Sequence, residues 1–173
     1  MKIKLRYPTL NDLEELKVAC LHPWALEWGF VHYFDSILNR DCEKLTDFLP
    51  PMANGIGIPA EHVPCTFMFA FNGHNKILGR VSIRHELTEH LENYGGHVGY
   101  GVLPEYRNRG VATEILRQSL EICKNDIGLS EVLITCDDDN LGSIKTIEKN
   151  AGTFIDKVSQ EDGQLTRRYK IQL

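Results

Sequence analysis

Short segments in which apolar and polar residues alternate recur along the chain, and this period of two is typical of β-strands with one buried face. Alternation at 2–6, together with short and mostly apolar runs further along the chain, predicts strands at 2–6, 65–71, 77–83, 95–104, 131–136, 153–158 and 165–171. The turn sequence NGHNK joins the second and third strands, and a further tight connection joins the last two. Both pairs are therefore predicted to be β-hairpins.

Apolar residues spaced at i, i+3 and i+4 predict helices between the strands. Segment 110–126 shows the clearest helical spacing, and Gly128 is a typical residue at which such a helix ends. Near the N-terminus, Thr9 and Asp12 resemble a capping box, which predicts a helix that extends to Cys20.

Three further segments are assigned from composition and spacing. The aromatic-rich segment 22–49 is predicted to be a pair of helices packed on a sheet, and 143–150 a short helix. Prolines and glycines concentrate in 50–64, which predicts a loop. The same composition favours a flexible lid over a binding site.

The order of these elements predicts an α/β protein with a mixed, mostly antiparallel sheet of about seven strands and flanking helices. The chain has 173 residues, a length that suits a single domain over 1–173. We expect the ligand site in the β-α-β part of its second half.

Charge and cysteine content narrow the function classes. The net charge of −5 and the lack of a basic run argue against nucleic-acid binding and mildly favour a cationic substrate. The number of cysteines, 5, is odd and none are spaced C-x-x-C, which favours reduced thiols in the cytosol. No stretch approaches the ~18 apolar residues of a membrane span. We therefore predict a cytoplasmic protein that binds no membrane.

The stretch YRNRGVAT, 106–113, lies between a predicted strand and a predicted helix. The first N–H groups of a helix have no partner within the helix, and the helix dipole favours an anion there. Gly110 allows the backbone to approach a phosphate closely, and Ala112 leaves space for it. Arg107 and Arg109 add positive charge. The segment is therefore predicted to bind a pyrophosphate.

At these residues the chain resembles the GNAT acetyltransferase superfamily, whose signature Q/R-x-x-G-x-G/A corresponds here to Arg107, Gly110 and Ala112. A second match is DNLGSIKTIEKNAGTF, where Asn140 and Ser143 fall on positions that line the coenzyme A arm. The resemblance is strongest to a group of predicted acetyltransferases related to the branch that acetylates the N-termini of ribosomal proteins.

The resemblance implies direct transfer of an acetyl group from acetyl-CoA to a primary amine, either a small molecule or a peptide N-terminus, in a ternary complex. It also implies a homodimer. Cofactor-binding residues carried over from the family are Val102, Arg107, Asn108, Arg109, Gly110, Val111, Ala112, Thr113, Asn140 and Ser143. In the family, a backbone N–H at the position of Val102 polarises the thioester carbonyl.

One position departs from the family pattern. Many members carry a tyrosine that protonates the leaving thiolate, and here the aligned residue is Ile147. This departure keeps open an alternative, a GNAT fold that binds or senses coenzyme A with little or no turnover. As catalytic residues we predict His97 as base with Glu86 as second choice, and Tyr100 as acid with Tyr94 as the alternative.

The stretch RHELTEH, 84–90, resembles the H-E-x-x-H motif of zinc proteases. Its histidines, His85 and His90, are five residues apart instead of four. Five helical steps of ~100° place them about 140° apart around a helix, so they cannot share a metal in that way. A metal hydrolase built on His85, Glu86 and His90 is therefore the weakest hypothesis. We predict no metal and instead a loop beside the acceptor site, either a solvated polar loop or one in which Arg84, His85, Glu86 and His90 bind or deprotonate the acceptor.

Overall fold

The computed structural model describes residues 2–173 of the chain. Seven strands lie within these residues: β1 Ile3–Arg6, β2 Cys65–Asn72, β3 Ile77–Arg84, β4 Val98–Val102, β5 Glu131–Asp137, β6 Thr153–Ser159 and β7 Leu165–Gln172. The α-helices of the same part of the chain are α1 Leu13–Cys20, α2 Pro23–Glu27, α3 Leu45–Phe48, α4 Val111–Ile122 and α5 Leu141–Lys149. The predicted α/β class and the seven strands are confirmed.

The strands form two antiparallel sheets, where the sequence analysis predicted a single mixed sheet. One sheet has the order β1-β2-β3-β4 and the other the order β5-β7-β6. Strands β4 and β5 come together just before β4 begins, where the His97 N–H donates to the Leu133 carbonyl at 2.7 Å. Beyond that point they form no ladder in the described residues. The sheet opens there because the two strands diverge, and the gap becomes a cleft.

Two apolar cores lie on the two sides of the first sheet: the first core lies under the segment that follows α1, and the second core lies under α4. Helix α4 buries Val111, Ile115 and Leu116 against strands of both sheets, as its periodicity predicted. On the other side, aromatic residues of β2 such as Phe67 and Phe69 pack against the segment that follows α1. The position of β3 and β4 between these cores places the cleft in the middle of the molecule.

The predicted helix pair at 22–49 was wrong for most of its length. Only α2 and α3 are α-helical there, and turns connect them. Four residues in the connection have positive φ: Gly29, Tyr33, Asn39 and Arg40. Positive φ is incompatible with a right-handed helix, so the aromatic residues pack as a folded segment that covers β2.

The predicted loop at 50–64 contains a 3₁₀ helix, Pro50–Asn54, and no strand or α-helix. Met52 in this segment is buried in the first core, which anchors the N-terminal half of the loop. Its role as a lid stays a prediction.

Candidate active site

A cleft of about 600 Å³ lies where β4 and β5 diverge. The N-termini of α4 and α5 form one wall, and the side chains of Trp24, Trp28 and Phe30 form part of the other. Of the predicted cofactor-binding residues, those that line the cleft are Val102, Arg107, Asn108, Gly110, Val111, Ala112, Thr113, Asn140 and Ser143. Arg109 is exposed and does not line it.

The loop before α4 leaves the first helical amides without side-chain partners. Gly110 is the N-cap of α4, with φ of 77° and no side-chain cap. A Cβ at Gly110 would meet no atom within 4 Å, so the space in front of these amides is open. Free N–H groups at the positive end of a helix dipole stabilise an anion. The start of α4 therefore has free amides and open space in front of them, and the binding of a pyrophosphate there stays a prediction.

Arg107 also contacts two neighbouring elements through its side chain. Its Nε donates to the Val102 carbonyl at 3.1 Å, and its guanidinium lies over the Trp24 ring, 4.4 Å from the centroid. The side chain thereby ties the end of β4 to α2 and the cleft wall. A cation over an indole ring is attracted by the negative face of that ring.

The hydrogen-bond register of β4 shows where the amide of Val102 points. Arg84 donates to the carbonyl of His97 at one end of the strand, and Leu103 donates to the carbonyl of Leu78 at the other. In an antiparallel pair, residues that bond to the partner strand alternate with residues that do not. The N–H of Val102 therefore points away from β3, towards the open edge and the cleft.

Helix α5 faces the cleft with its first turns. Asn140 is its N-cap, and the Asn140 side chain accepts a hydrogen bond from the Ser143 N–H at 3.0 Å. Thr146 also lines the cleft, whereas Ile147 is fully buried in the second core. The position at which many relatives carry a tyrosine thus belongs to the core in this chain.

Tyr100 points into the cleft from the middle of β4, with its hydroxyl near Ser143 and Thr146 of α5. Burial raises the pKa of Tyr100, so the hydroxyl stays protonated at neutral pH. The Oη atom is buried and lies near the side chains of Ser143 and Thr146, but within 2–173 no group forms a hydrogen bond of good geometry with it. A buried hydroxyl without a partner is unfavourable, and such groups occur where a ligand completes the bond.

The two residues predicted as bases do not line the cleft. Glu86 is exposed. The His97 Nδ1 atom accepts a hydrogen bond from the Leu133 N–H at 3.0 Å, and burial lowers the pKa of His97. A neutral histidine whose Nδ1 accepts must carry its proton on Nε2. His97 therefore has no free lone pair and connects the two sheets.

The histidines of RHELTEH engage separate partners. The His85 Nε2 atom lies 2.8 Å from the Thr66 hydroxyl, and the His90 ring packs beside the Tyr94 ring. Within 2–173, no three His, Cys, Asp or Glu side chains lie together in a way that could hold a metal ion. Among the same residues, no helix has the length and apolar character needed to cross a membrane.

A second cavity of about 370 Å³ lies on the opposite face of β3 and β4 from the second core, and Arg84 and His90 of the stretch predicted beside the acceptor site line it. Its lining includes His32, Glu61, His62 and Arg84. Arg80 lines the cleft. Arg84, four residues further along the same face of β3, lines the second cavity, so the two cavities adjoin along one strand. The even spacing of Arg80 and Arg84 on a predicted strand indicated that they share one face. The sequence did not indicate which loops enclose them.

The fold and this site define a protein that binds a phosphate-bearing cosubstrate between two diverging strands. The chain matches the acetyltransferase (GNAT) domain over residues 2–153. It therefore belongs to the GNAT acetyltransferase family. Among curated proteins, none matches the sequence significantly.

Solved structures with the same fold share little sequence with the chain. A ribosomal-protein-S5-alanine acetyltransferase from Vibrio fischeri aligns with a TM-score of 0.71 at 12% identity, over 99% of this chain and 93% of that one. The spermidine/spermine N-acetyltransferase from Vibrio cholerae gives 0.64 at 14% identity, over 99% and 95%. A microcin C7 self-immunity acetyltransferase, solved with acetyl-CoA and AMP, gives 0.67 at 18% identity, over 99% and 93%.

Proposed function

We propose that the protein transfers an acetyl group from acetyl-CoA to a primary amine of a small molecule or a peptide N-terminus. The observation that carries this proposal is the row of free amides at the start of α4, which faces a cleft opened by the divergence of β4 and β5. The open space at Gly110 fits a pyrophosphate. Structures of the same fold include one bound to acetyl-CoA.

The proposed cosubstrate supplies an activated acetyl group as a thioester, and the chain supplies its binding and polarisation. Amides of 108–113 hold the pyrophosphate, and Asn140 and Ser143 contact the pantetheine arm. The Val102 N–H, free at the edge of β4, donates to the acetyl carbonyl, where a fixed dipole stabilises developing negative charge.

We assign proton donation to Tyr100 instead of the family's usual tyrosine. Its hydroxyl is protonated at neutral pH and lies beside α5, the helix that carries the acid in many relatives. For the amine proton, Glu61 and His62 of the second cavity are further candidate bases. The roles of His97 and Glu86 stay predictions that the geometry does not favour.

The alternative, a GNAT fold that binds coenzyme A without turnover, rests on Ile147 in the core position. Release of free coenzyme A in the presence of any amine, above the rate of hydrolysis, would exclude it. The homodimer, the single domain over 1–173 and the cytoplasmic location also stay predictions.

The first experiment is isothermal titration of acetyl-CoA into the wild type and the Gly110→Glu variant. The substitution places a carboxylate in front of the free amides, and we expect the dissociation constant to rise at least tenfold, about 1.4 kcal/mol. Gly163→Glu is the matched control, because Gly163 also has positive φ and open space around its Cβ position.

Both variants have the same kind of backbone strain. A difference in acetyl-CoA affinity between them therefore measures the effect of a carboxylate in front of the free amides of α4. Equal affinity of the Gly110→Glu variant and the wild type, with circular dichroism showing that both are folded, would refute the assignment of the pyrophosphate site.

A further inference from the structure

Two arginines occupy one face of β3 without an acidic partner. Arg80, Ser82 and Arg84 alternate onto the face that borders the first core. Opposite Arg80 and Ser82 on β4 lie Gly101 and Gly99. Because glycine has no side chain, the two guanidinium groups can fold over β4 at this place.

The hydrogen bonds of these arginines go to backbone carbonyls. The Arg80 Nη1 atom donates to Gly99 O at 3.1 Å, and the Arg84 Nη1 atom donates to Gly95 O at 3.1 Å and Gly96 O at 2.9 Å. Within 2–173, neither arginine lies within 4.0 Å of a carboxylate. The Arg80 Nε atom is buried and has no hydrogen-bond partner in the described chain.

The two positively charged guanidinium groups therefore lie close together in a partly buried position. A Cβ at Gly99 would lie 3.7 Å from an Nη1 atom of each arginine, so these two nitrogens are at most twice that distance apart. Burial, and then the charge of Arg84, lowers the pKa of Arg80 from 12.5 to about 10, which still leaves it charged at neutral pH. Arg80 also lies beside the Phe30 and Phe67 rings, at 6.0 and 5.7 Å from their centroids, but buried charges are normally paired with an opposite charge and the described residues provide none here.

Nearby groups do not offset the charge. Burial and the two arginines lower the pKa of His32 to about 3, so this ring is neutral at pH 7. Among the residues that line the second cavity, Glu61 is the carboxylate. It is exposed at the rim, where it can attract an ammonium group without neutralising the arginines.

The pair lies where the two cavities adjoin, since Arg80 lines the cleft and Arg84 lines the second cavity. A carboxylate or phosphate accepts several charge-assisted hydrogen bonds from guanidinium groups, and arginine is the residue best suited to that task. We propose that the acceptor amine carries an anionic group, a carboxylate or a phosphate, which Arg80 and Arg84 bind during acetyl transfer. This inference rests on the proposed function and replaces the cationic acceptor that the net charge favoured.

Binding of the anion is tested first, without catalysis. The melting temperature of the protein saturated with coenzyme A is measured in inorganic phosphate, in acetate and in chloride at equal ionic strength. We expect phosphate or acetate to raise it above the value in chloride, and we expect that rise to vanish in the Arg80→Gln/Arg84→Gln double variant. No rise in the wild type, or the same rise in the double variant, would overturn the inference.

Two further variants separate charge from folding. Arg117→Gln loses an arginine on the exposed face of α4, outside both cavities, and should keep the full response to the anion. Gly99→Ala keeps both arginines and makes only ordinary van der Waals contacts. Its methyl group lies against both guanidinium groups, so we expect this variant to fold and to lose the response.

Turnover then identifies the anion. Release of the coenzyme A thiol is compared for phosphoethanolamine against ethanolamine and for β-alanine against its amide. We expect the anionic member of at least one pair to have a kcat/KM at least tenfold higher, and this preference to fall towards one in Arg84→Gln. Preference for the phosphate or the carboxylate pair names the source of the charge.

Preference for the uncharged member of both pairs would overturn the inference and leave the acetyltransferase proposal intact. The two failures remain distinguishable, because acetyl-CoA binding to the same preparations is measured separately by calorimetry. A wild-type protein that does not bind acetyl-CoA in this measurement would contradict the proposed function itself.

Discussion

The Tyr100 hydroxyl is a buried polar group that the fold leaves without a partner, and at the scale of single residues it provides the sharpest test of mechanism. Tyr100→Phe removes only that oxygen. We expect kcat to fall by about 10²- to 10⁴-fold, the usual contribution of a positioned general acid. Stability should change little or increase slightly, because removing an unsatisfied buried hydroxyl costs nothing in hydrogen bonds.

Tyr169→Phe is the matched control for this prediction. The Tyr169 hydroxyl is also buried and unpaired among the described residues, but it belongs to β7 and lines neither cavity. Its removal should leave kcat within twofold of the wild type. If Tyr100→Phe behaves like this control in steady-state assays, a water molecule and not Tyr100 protonates the thiolate.

Part of the candidate site could be predicted from residue types and their spacing alone. Gly110, Asn140 and Ser143 could be predicted because their positions follow from a local motif. The mutual position of Arg80 and Arg84, by contrast, depends on the glycines of β4 that face them, which only the strand register reveals.

At the scale of elements, one ion pair joins β1 to the start of α1. The Asp12 carboxylate accepts from Arg6 Nη1 and Nη2, each at 2.7 Å, and from the Thr9 N–H at 2.8 Å. The bond from Arg6, followed by those from Thr9, lowers the pKa of Asp12 from 3.8 to about 2 against the opposing effect of burial. The sequence predicted a capping box here, and the arginine partner was not foreseen.

A carboxyl whose pKa is lower in the folded protein stabilises the fold above its unfolded pKa and loses this effect as pH falls. For Asp12 the shift corresponds to roughly 2 kcal/mol, lost between about pH 4 and pH 2. We expect urea unfolding to show this loss in the wild type, and a correspondingly smaller decline in Asp12→Asn. Glu121→Gln, which removes an exposed ion pair with Arg117, should keep the wild-type slope. Equal slopes for the wild type and Asp12→Asn would contradict the prediction.

Elements differed in how well the sequence predicted them. The periodicity of α4 is carried by its own residues, and the helix formed where expected. The segment 22–49 has many apolar residues without a strict helical period, and its shape follows from packing on β2.

At the scale of the whole molecule, the contact between the two sheets sets the opening of the cleft. Gly96 has φ of 62°, and a Cβ there would lie 2.7 Å from the Leu133 carbonyl oxygen. Gly96→Ala should therefore lower the free energy of unfolding by about 2–4 kcal/mol, through backbone strain and overpacking. Acetyl-CoA affinity should fall as well, because the clash separates β4 from β5.

Gly163→Ala shares the positive φ but meets no atom within 4 Å. It should cost only about 1 kcal/mol, the strain of the left-handed backbone. Denaturant unfolding of both variants measures the difference. A Gly96→Ala variant no less stable than Gly163→Ala would show that the sheets are not in close contact at this point.

The sequence by itself determined the α/β class, the seven strands and the helix that begins after Gly110, because each depends on the period and composition of a short segment. Only the tertiary structure decided three things: the separation into two sheets, the burial of Ile147 and the convergence of Arg80 and Arg84 beside Gly99. The physical reason is that these features arise from contacts between residues far apart in sequence. Local periodicity carries no information about such contacts.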